Sequence, residues 1–238
     1  MNLENIWVYL AQTPLLWLTV TLLVYSAAQW LFERSGALPL VNPVLLSIVA
    51  LVAVLLFTDT DYNTYFEGAQ FVHFLLGPAT VALAVPLYNQ LGKVRSRLLP
   101  LSAALLVGSA AGIVAPTFLA QAFGLGTQAV LSLAPKSVTT PIAMGVAEQI
   151  GGAPPLTAVL VILTGIIGAS IGVELLRLLR LQGDTVQGFA MGTAAHGIGT
   201  ARALQVSEEA GAFSGLAMGL NGALTALLAP LLMRLLGF

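Results

Sequence analysis

Residues 134–145 read Ala-Pro-Lys-Ser-Val-Thr-Thr-Pro-Ile-Ala-Met-Gly, and they place a lysine and three hydroxyl side chains between two prolines. Each proline lacks an N–H group and disturbs a helical hydrogen-bond ladder, so we expect a bent or broken backbone here. A broken backbone at membrane depth leaves N–H and C=O groups that need protein or water as partners. The stretch therefore predicts a polar break inside an apolar fold.

The rest of the chain is strongly apolar. Hydrophobic residues make up 58% of its 238 residues and charged residues 8%, and the mean hydropathy is +0.93. A soluble domain carries about 25% charged residues. The composition therefore predicts an all-α integral membrane protein with a single polytopic domain over residues 1–238. The net charge of −1 comes with no basic tract, which argues against a nucleic-acid partner.

Apolar stretches of about 20 residues are long enough to span a membrane, and they predict about seven transmembrane helices. The expected spans are about 8–31, 40–58, 71–91, 98–123, 153–176, 187–205 and 210–233. Glycine and proline interrupt the third and the sixth, which favours kinks or half-helices there. Residues 130–151 contain the lysine segment, and we expect them to form a re-entrant segment that dips into the membrane and returns.

The distribution of charge predicts an orientation, because basic residues concentrate on the cytoplasmic side. The basic set comprises Arg34, Lys93, Arg95, Arg97, Arg177, Arg180 and Arg234, and the acidic set comprises Glu4, Asp59, Asp61, Glu67, Glu208 and Glu209. The two sets separate if the N-terminus is outside, the C-terminus is cytoplasmic and residues 130–151 return to the side where they began.

Two three-span units, residues 40–123 and 153–236, share local patterns, and residues 8–31 form a peripheral first span. The shared features are Asn42-Pro43 against Pro154-Pro155 and the spacing of Gly108 to Pro116 against Gly222 to Pro230. The sequence thus predicts a transporter-like 3+3 inverted repeat with a binding site at the interface of the two copies. A rival pairing of residues 78–92 with 135–151 stays open.

Three strings together resemble the LrgB/CidB family over nearly the whole chain. They are the lysine segment, Leu-Gly-Pro-Ala-Thr-Val-Ala-Leu-Ala-Val-Pro-Leu-Tyr at residues 76–88 and Ala-His-Gly-Ile-Gly-Thr-Ala-Arg-Ala at residues 195–203. The family is described as antiholin-like proteins, or murein hydrolase effectors, that work with a small holin-like partner. Its plastid relatives exchange glycolate and glycerate, and bacterial relatives are linked to pyruvate uptake.

The resemblance implies a secondary transporter of small 2-hydroxy or 2-oxo monocarboxylates, such as glycolate, glycerate, pyruvate and lactate, in the bacterial inner membrane. The alternative is an antiholin-like regulator of murein hydrolase activity and autolysis that acts with the holin-like partner. Both readings place the chain in the lipid bilayer.

Lys136 is the first candidate for substrate binding. An unpaired ammonium at the bilayer centre costs about 2.5–3.5 kcal/mol, and a visiting carboxylate would offset this cost. Ser137, Thr139 and Thr140 add hydroxyl groups beside it. In the alternative reading, residues 134–140 form a surface loop in which Lys136 is solvated.

Residues 196–202 form the second candidate site. Gly197 and Gly199 flank an expected unwinding point, and His196 can change its protonation near neutral pH. Arg202 could clamp a carboxylate with two hydrogen bonds. In the predicted repeat, Gly77-Pro-Ala-Thr80 corresponds to Gly197-Ile-Gly-Thr200, so Thr80 and Thr200 are further candidates for substrate binding. The alternatives are a neutral core histidine, and an arginine at the level of the lipid headgroups.

Three further features complete the sequence-based expectations. Asn221 could line the cavity or form an interhelical hydrogen bond. Gly165, Gly168 and Gly172 lie along one span, which suggests close helix packing and a homodimer interface. No catalytic or metal-binding motif is found, so we expect neither enzymatic activity nor a metal or cofactor. Coupling of transport to H⁺ or Na⁺ stays open at this point.

Overall fold

A computed structural model describes residues 13–36 and 41–238, and these ranges are mainly α-helical and contain no β-strand. The chain divides into two compact units, Met1–Ala82 and Leu83–Phe238. Within the described ranges, five helical stretches are long and apolar enough to cross a membrane: Pro14–Arg34, Tyr62–Asn89, Leu98–Ala122, Pro154–Leu178 and Glu208–Leu235. The protein is therefore a multi-pass membrane protein, as its composition predicted.

The first unit contains four helices: α1 (Pro14–Arg34), α2 (Pro43–Phe57), α3 (Tyr62–Phe74) and α4 (Leu76–Ala82). Helix α1 packs against both α2 and α3. Asn42 caps the start of α2, since its side chain accepts hydrogen bonds from the N–H groups of Val44 and Leu45. This is the usual way to satisfy free N–H groups at a helix start. Residues 8–12 of the first predicted span lie outside the described residues.

The second unit contains α5 (Ala84–Asn89), α6 (Leu91–Ser96), α7 (Leu98–Ala122), α8 (Thr127–Leu133), α9 (Thr140–Ile150), α10 (Pro154–Leu178), α11 (Asp184–Val206) and α12 (Glu208–Leu235). The long helices α7, α10 and α12 alternate with two helical hairpins. Hairpin 1 consists of residues 127–150, and hairpin 2 consists of residues 184–206. Both hairpins lie inside the same compact unit.

Hairpin 1 begins and ends at the same end of the unit. Its regular α-helix is interrupted over residues 134–139, where the chain forms turns, and α-helix resumes at Thr140 beside Pro141. The start of α10 then lies beside the end of α8, because the Ser132 hydroxyl accepts from the Ala153 N–H at 2.8 Å and the Ser132 carbonyl accepts from the Thr157 hydroxyl at 3.0 Å. This returning path matches the expectation for residues 130–151, whose depth in a membrane stays a prediction.

Hairpin 2 replaces the predicted span of residues 187–205, so that prediction is wrong. The helical geometry breaks at Ala195 (φ −124°, ψ 16°) and His196 (φ 42°, ψ −135°), and the chain turns back. Gly188 on the first arm lies so close to α12 that an added Cβ would overlap the Ala210 carbonyl, and Leu204 on the second arm contacts Gly211 of the same helix. Both arms therefore flank the first turns of α12.

Helices α7 and α12 run in the same direction, as successive contacts between the two segments show. They are the ion pair of Lys93 with Glu209, the hydrogen bond of Ser109 with Asn221, and the shared core cluster of Ile113 with Ala229. Inverted copies would run in opposite directions. The predicted pairing of residues 40–123 with 153–236 is therefore wrong, and the boundary between the two compact units also falls inside its first copy.

The same contacts correct part of the predicted orientation. Arg97 and Glu209 both bind Thr185, so they lie at the same end of the second unit. Helix α12 starts at that end, and its C-terminus is at the opposite end. Arg97 and the C-terminus therefore cannot both be cytoplasmic, and Glu209 does not lie across the membrane from Arg97.

A different repetition is visible in the fold. Helix α7 followed by hairpin 1 and helix α10 followed by hairpin 2 have the same order of elements but opposite directions. Pro100-Leu-Ser-Ala near the start of α7 corresponds to Pro155-Leu-Thr-Ala near the start of α10. The ends of the two hairpins, Ala147-Glu-Gln-Ile and Ala203-Leu-Gln-Val, also correspond. The two hairpins thus enter the unit from opposite ends.

The close contact between hairpin 2 and α12 predicts a steric limit at Gly192. We expect Gly192→Ala to destabilise the protein by about 1–3 kcal/mol or more, because the new Cβ would overlap the Ser214 carbonyl. Thermal unfolding of the purified variant measures this. Gly219→Ala is the matched control, since nothing lies within 4 Å of its added Cβ. Equal unfolding temperatures for the two variants would contradict the packing described here.

Candidate functional site

A cavity of about 770 Å³ lies between α7 and the first arm of hairpin 2. Arg97 and Thr185 line one part of it, at the end of the unit where α7 and α11 begin. Lys136 and Ser137, at the tip of hairpin 1, line the deeper part. The walls between them are mainly apolar and small, and they include Ala104, Gly108, Gly112, Phe189, Ala190 and Ala194. A polar tip thus closes an apolar cavity.

Lys136 is half-buried, and its ammonium donates a hydrogen bond to the Ser137 hydroxyl at 3.2 Å. The ion pairs found in the described part of the chain involve other residues, namely Lys93 with Glu209 and Arg202 with Glu174. No carboxylate among the described residues thus neutralises Lys136. The alternative of a fully solvated surface lysine does not fit this burial.

Asn221 on α12 holds the tip of hairpin 1 in place. Its amide donates to the Thr193 carbonyl at 2.9 Å and to the Ser137 carbonyl at 3.4 Å. Its side-chain oxygen accepts from the Ser109 hydroxyl at 2.5 Å. The side chain is buried and both amide hydrogens are engaged. Asn221 therefore fits the interhelical alternative and positions the lysine tip from outside the cavity lining.

His196 forms the tip of hairpin 2 and is buried. Its Nε2–H donates to the Val161 carbonyl at 2.9 Å, since a carbonyl can only accept. The ring lies against Gly165, where an added Cβ would approach Cε1 to 2.6 Å. Val161 also packs with Val138 of hairpin 1. The tips of both hairpins therefore meet at Val161, and His196 has the contacts of a core histidine.

The neighbours of His196 support this tip. The Thr200 hydroxyl bonds to the His196 carbonyl at 2.9 Å and to the Ser214 hydroxyl at 2.9 Å. Gly199 allows the two arms to approach, since an added Cβ would lie 2.7 Å from the Met191 carbonyl oxygen. Gly197 lies next to Met218 on the exposed side. The break itself lies at residues 195–196, just before the two glycines where we expected it.

The remaining predicted residues are distributed more widely. Arg202 lies on the second arm, with a guanidinium nitrogen 3.8 Å from a Glu174 carboxylate oxygen, and it is not among the residues that line the cavity. Thr139 and Thr140 are half-buried where α9 begins, and the Thr139 side chain makes no capping hydrogen bond. Thr80 belongs to α4 in the first unit, and its side chain is not among those described.

The glycine face of α10 contacts the chain itself, so its predicted role as a homodimer interface is wrong. Gly165, Gly168 and Gly172 lie against His196, Ala195 and Met191 of hairpin 2, respectively. Added Cβ atoms would come 2.5–2.6 Å from those side chains. Small residues here let an intramolecular hairpin pack closely.

The sequence analysis did not identify the residues on α7 and α11 that form the walls of the cavity. Ala104, Gly108 and Gly112 recur every four residues on α7, and they form a stripe that faces the cavity. This spacing puts them on one helix face. The pattern of small residues in the sequence could therefore have indicated this wall of the cavity. Within the described ranges, no group of three or more His, Asp or Glu side chains could hold a metal ion.

Together, the spanning helices and two opposed hairpins define a multi-pass membrane protein with a cavity whose lining includes the charged side chains of Arg97 and Lys136. The chain belongs to the LrgB-like family, whose family model matches residues 21–235. It is 37% identical over 91% of its length to the Bacillus subtilis protein named Uncharacterized protein YxaC, covering 94% of that protein. It is 31% identical over 94% of its length to Antiholin-like protein LrgB of Bacillus mycoides, covering 98% of that protein. No solved structure matches the chain.

The hydrogen bonds of Asn221 predict that removal of its side-chain amide lowers the stability of the protein. We expect Asn221→Leu to destabilise the protein by about 1–3 kcal/mol, because it leaves the buried Ser109 hydroxyl and the Thr193 carbonyl without this partner. Thermal unfolding measures the effect. Asn89→Leu is the control, since it removes only an exposed hydrogen bond to Glu208. An unfolding temperature as high as that of the control would mean that Asn221 does not hold the tip.

Proposed function

We propose that the protein is a secondary transporter of small 2-hydroxy or 2-oxo monocarboxylates, of the glycolate, glycerate, pyruvate and lactate type, in the bacterial inner membrane. The observation that carries this proposal is the half-buried ammonium of Lys136, which lines a cavity without a carboxylate partner among the described residues. A gradient of H⁺ or Na⁺ would supply the energy.

Electrostatics favour an anion at this position. An ammonium away from bulk water is costly unless an opposite charge is near, and a carboxylate supplies that charge directly. Ser137 can donate a further hydrogen bond from its hydroxyl, which also lines the cavity. Helix α9 starts at Thr140, close to the tip in sequence, so its positive N-terminal dipole also favours an anion. Lysine suits such a ligand because its charge is compact and its donors rotate.

The arrangement of hairpins supports transport over simple binding. Transporters commonly place the substrate between broken segments that enter from opposite sides. Here the two tips meet at Val161, next to the lysine tip that lines the cavity. By the positive-inside rule we assign the end with Lys93, Arg97 and Arg177 to the cytoplasm. The cavity would then open toward the cytoplasm, and access from the outside would require movement of hairpin 1.

Substitution of Lys136 tests the proposal. We expect Lys136→Met to reduce uptake of labelled glycolate and pyruvate into proteoliposomes at least about tenfold, since a charge-assisted hydrogen bond contributes about 1.5–3 kcal/mol. The control is Lys93→Met, which alters the other lysine of the chain, in the solvent-accessible ion pair with Glu209. Size-exclusion profiles and unfolding temperatures show whether both variants remain folded. Uptake that survives in folded Lys136→Met protein would refute the assignment.

A second function is favoured by the comparison with relatives named Antiholin-like protein LrgB. In this proposal the chain regulates murein hydrolase activity and autolysis together with a small holin-like partner. Autolysis in a deletion strain that expresses Lys136→Met separates the two proposals. A direct regulator restores normal autolysis without transport, whereas a transporter with an indirect effect restores neither.

A further inference from the structure

The cavity is much larger and more apolar than the smallest acids of the proposed function require. Its volume of about 770 Å³ falls in the range of about 300–1,000 Å³ that is common for drug-sized ligands. Glycolate would occupy a small fraction of it. Its lining, apart from a few polar groups, consists of apolar side chains and small residues.

The apolar part of the cavity extends away from the ammonium in one direction. On α7 the lining residues run from Gly112, next to Ser137, through Gly108 and Ala104 to Pro100. Twelve residues of helix correspond to a rise of about 18 Å. On the opposite wall, Ala194, Ala190 and Val186 follow the same course along α11. The result is a trough between two helices, with Lys136 at its inner end.

This geometry complements one kind of ligand. The carboxylate would bind Lys136 and Ser137, and an attached alkyl or aryl group would lie along the trough toward Ala104. We propose that the site selects 2-hydroxy or 2-oxo acids with an apolar substituent of several carbons over two- and three-carbon acids. The inference rests on the proposed function, because it requires Lys136 to bind the carboxylate.

A homologous series of acids tests the inference. Glycolate, 2-hydroxybutanoate, 2-hydroxyhexanoate, 2-hydroxyoctanoate and 3-phenyllactate are titrated by calorimetry into the full protein in lipid nanodiscs, with empty nanodiscs subtracted. We expect Kd to fall up to about fourfold for each buried methylene, which corresponds to ~0.8 kcal/mol. We also expect the neutral amide of 2-hydroxyhexanoic acid to bind at least about tenfold more weakly than the acid.

Two substitutions of alanine by leucine test where the apolar substituent binds. Ala104→Leu inserts a bulky side chain into the trough, and Ala115→Leu makes the same change at an exposed position of α7 that is not among the lining residues. We expect Ala104→Leu to remove the gain from the longer chains while glycolate binding is unchanged. Ala115→Leu should preserve the whole series.

The outcomes separate this inference from the proposed function. Binding of glycolate that depends on Lys136 but does not tighten with chain length overturns the inference and leaves the proposed function standing. Absence of Lys136-dependent binding for every acid overturns both. If the amide binds as tightly as the acid, binding in the trough does not depend on the carboxylate, and the inference is again wrong.

Discussion

The half-buried ammonium of Lys136 has no carboxylate partner among the described residues. The structure around it must therefore accommodate an unneutralised positive charge. An isolated charge in a membrane protein must face a cavity or a partner. Hairpin 1 places it at a tip, and Asn221 fixes that tip through the Ser137 carbonyl. The charge is thereby directed to the cavity between α7 and α11.

Where the two hairpins interrupt the helices, side chains form hydrogen bonds with backbone groups. In hairpin 2, Thr200 binds the carbonyl of His196, and the His196 ring in turn binds the carbonyl of Val161. In hairpin 1, Ser132 ties the end of α8 to the start of α10. Such internal partners are required because lipid offers none. The glycines of α10 and α11 then allow the hairpins to pack closely enough for these bonds to form.

The sequence predicted the membrane class and the break at the lysine segment, because composition and proline act locally. The turn at His196 could not be predicted in the same way. A non-glycine residue with φ 42° is held there by tertiary contacts, while Gly199 serves close packing. Hydropathy shows that residues 187–205 form an apolar segment of nearly spanning length. It does not show whether this segment crosses the membrane or turns back within it. The predicted repeat failed because short matches of glycine, alanine and proline recur by chance in such chains.

The distribution of carboxylates leaves Lys136 without an ion-pair partner among the described residues. Glu209 accepts from both Lys93 and Thr185 at the end of the unit where the cavity is lined by Arg97, and it therefore balances charge there. Glu174 of α10 lies beside Arg202 on the second arm of hairpin 2. Both acids are bound to partners away from the tips, so neither competes for Lys136. In the proposed function, an anion that passes Arg97 and enters the apolar trough would meet its strongest attraction at the inner end, beside Lys136.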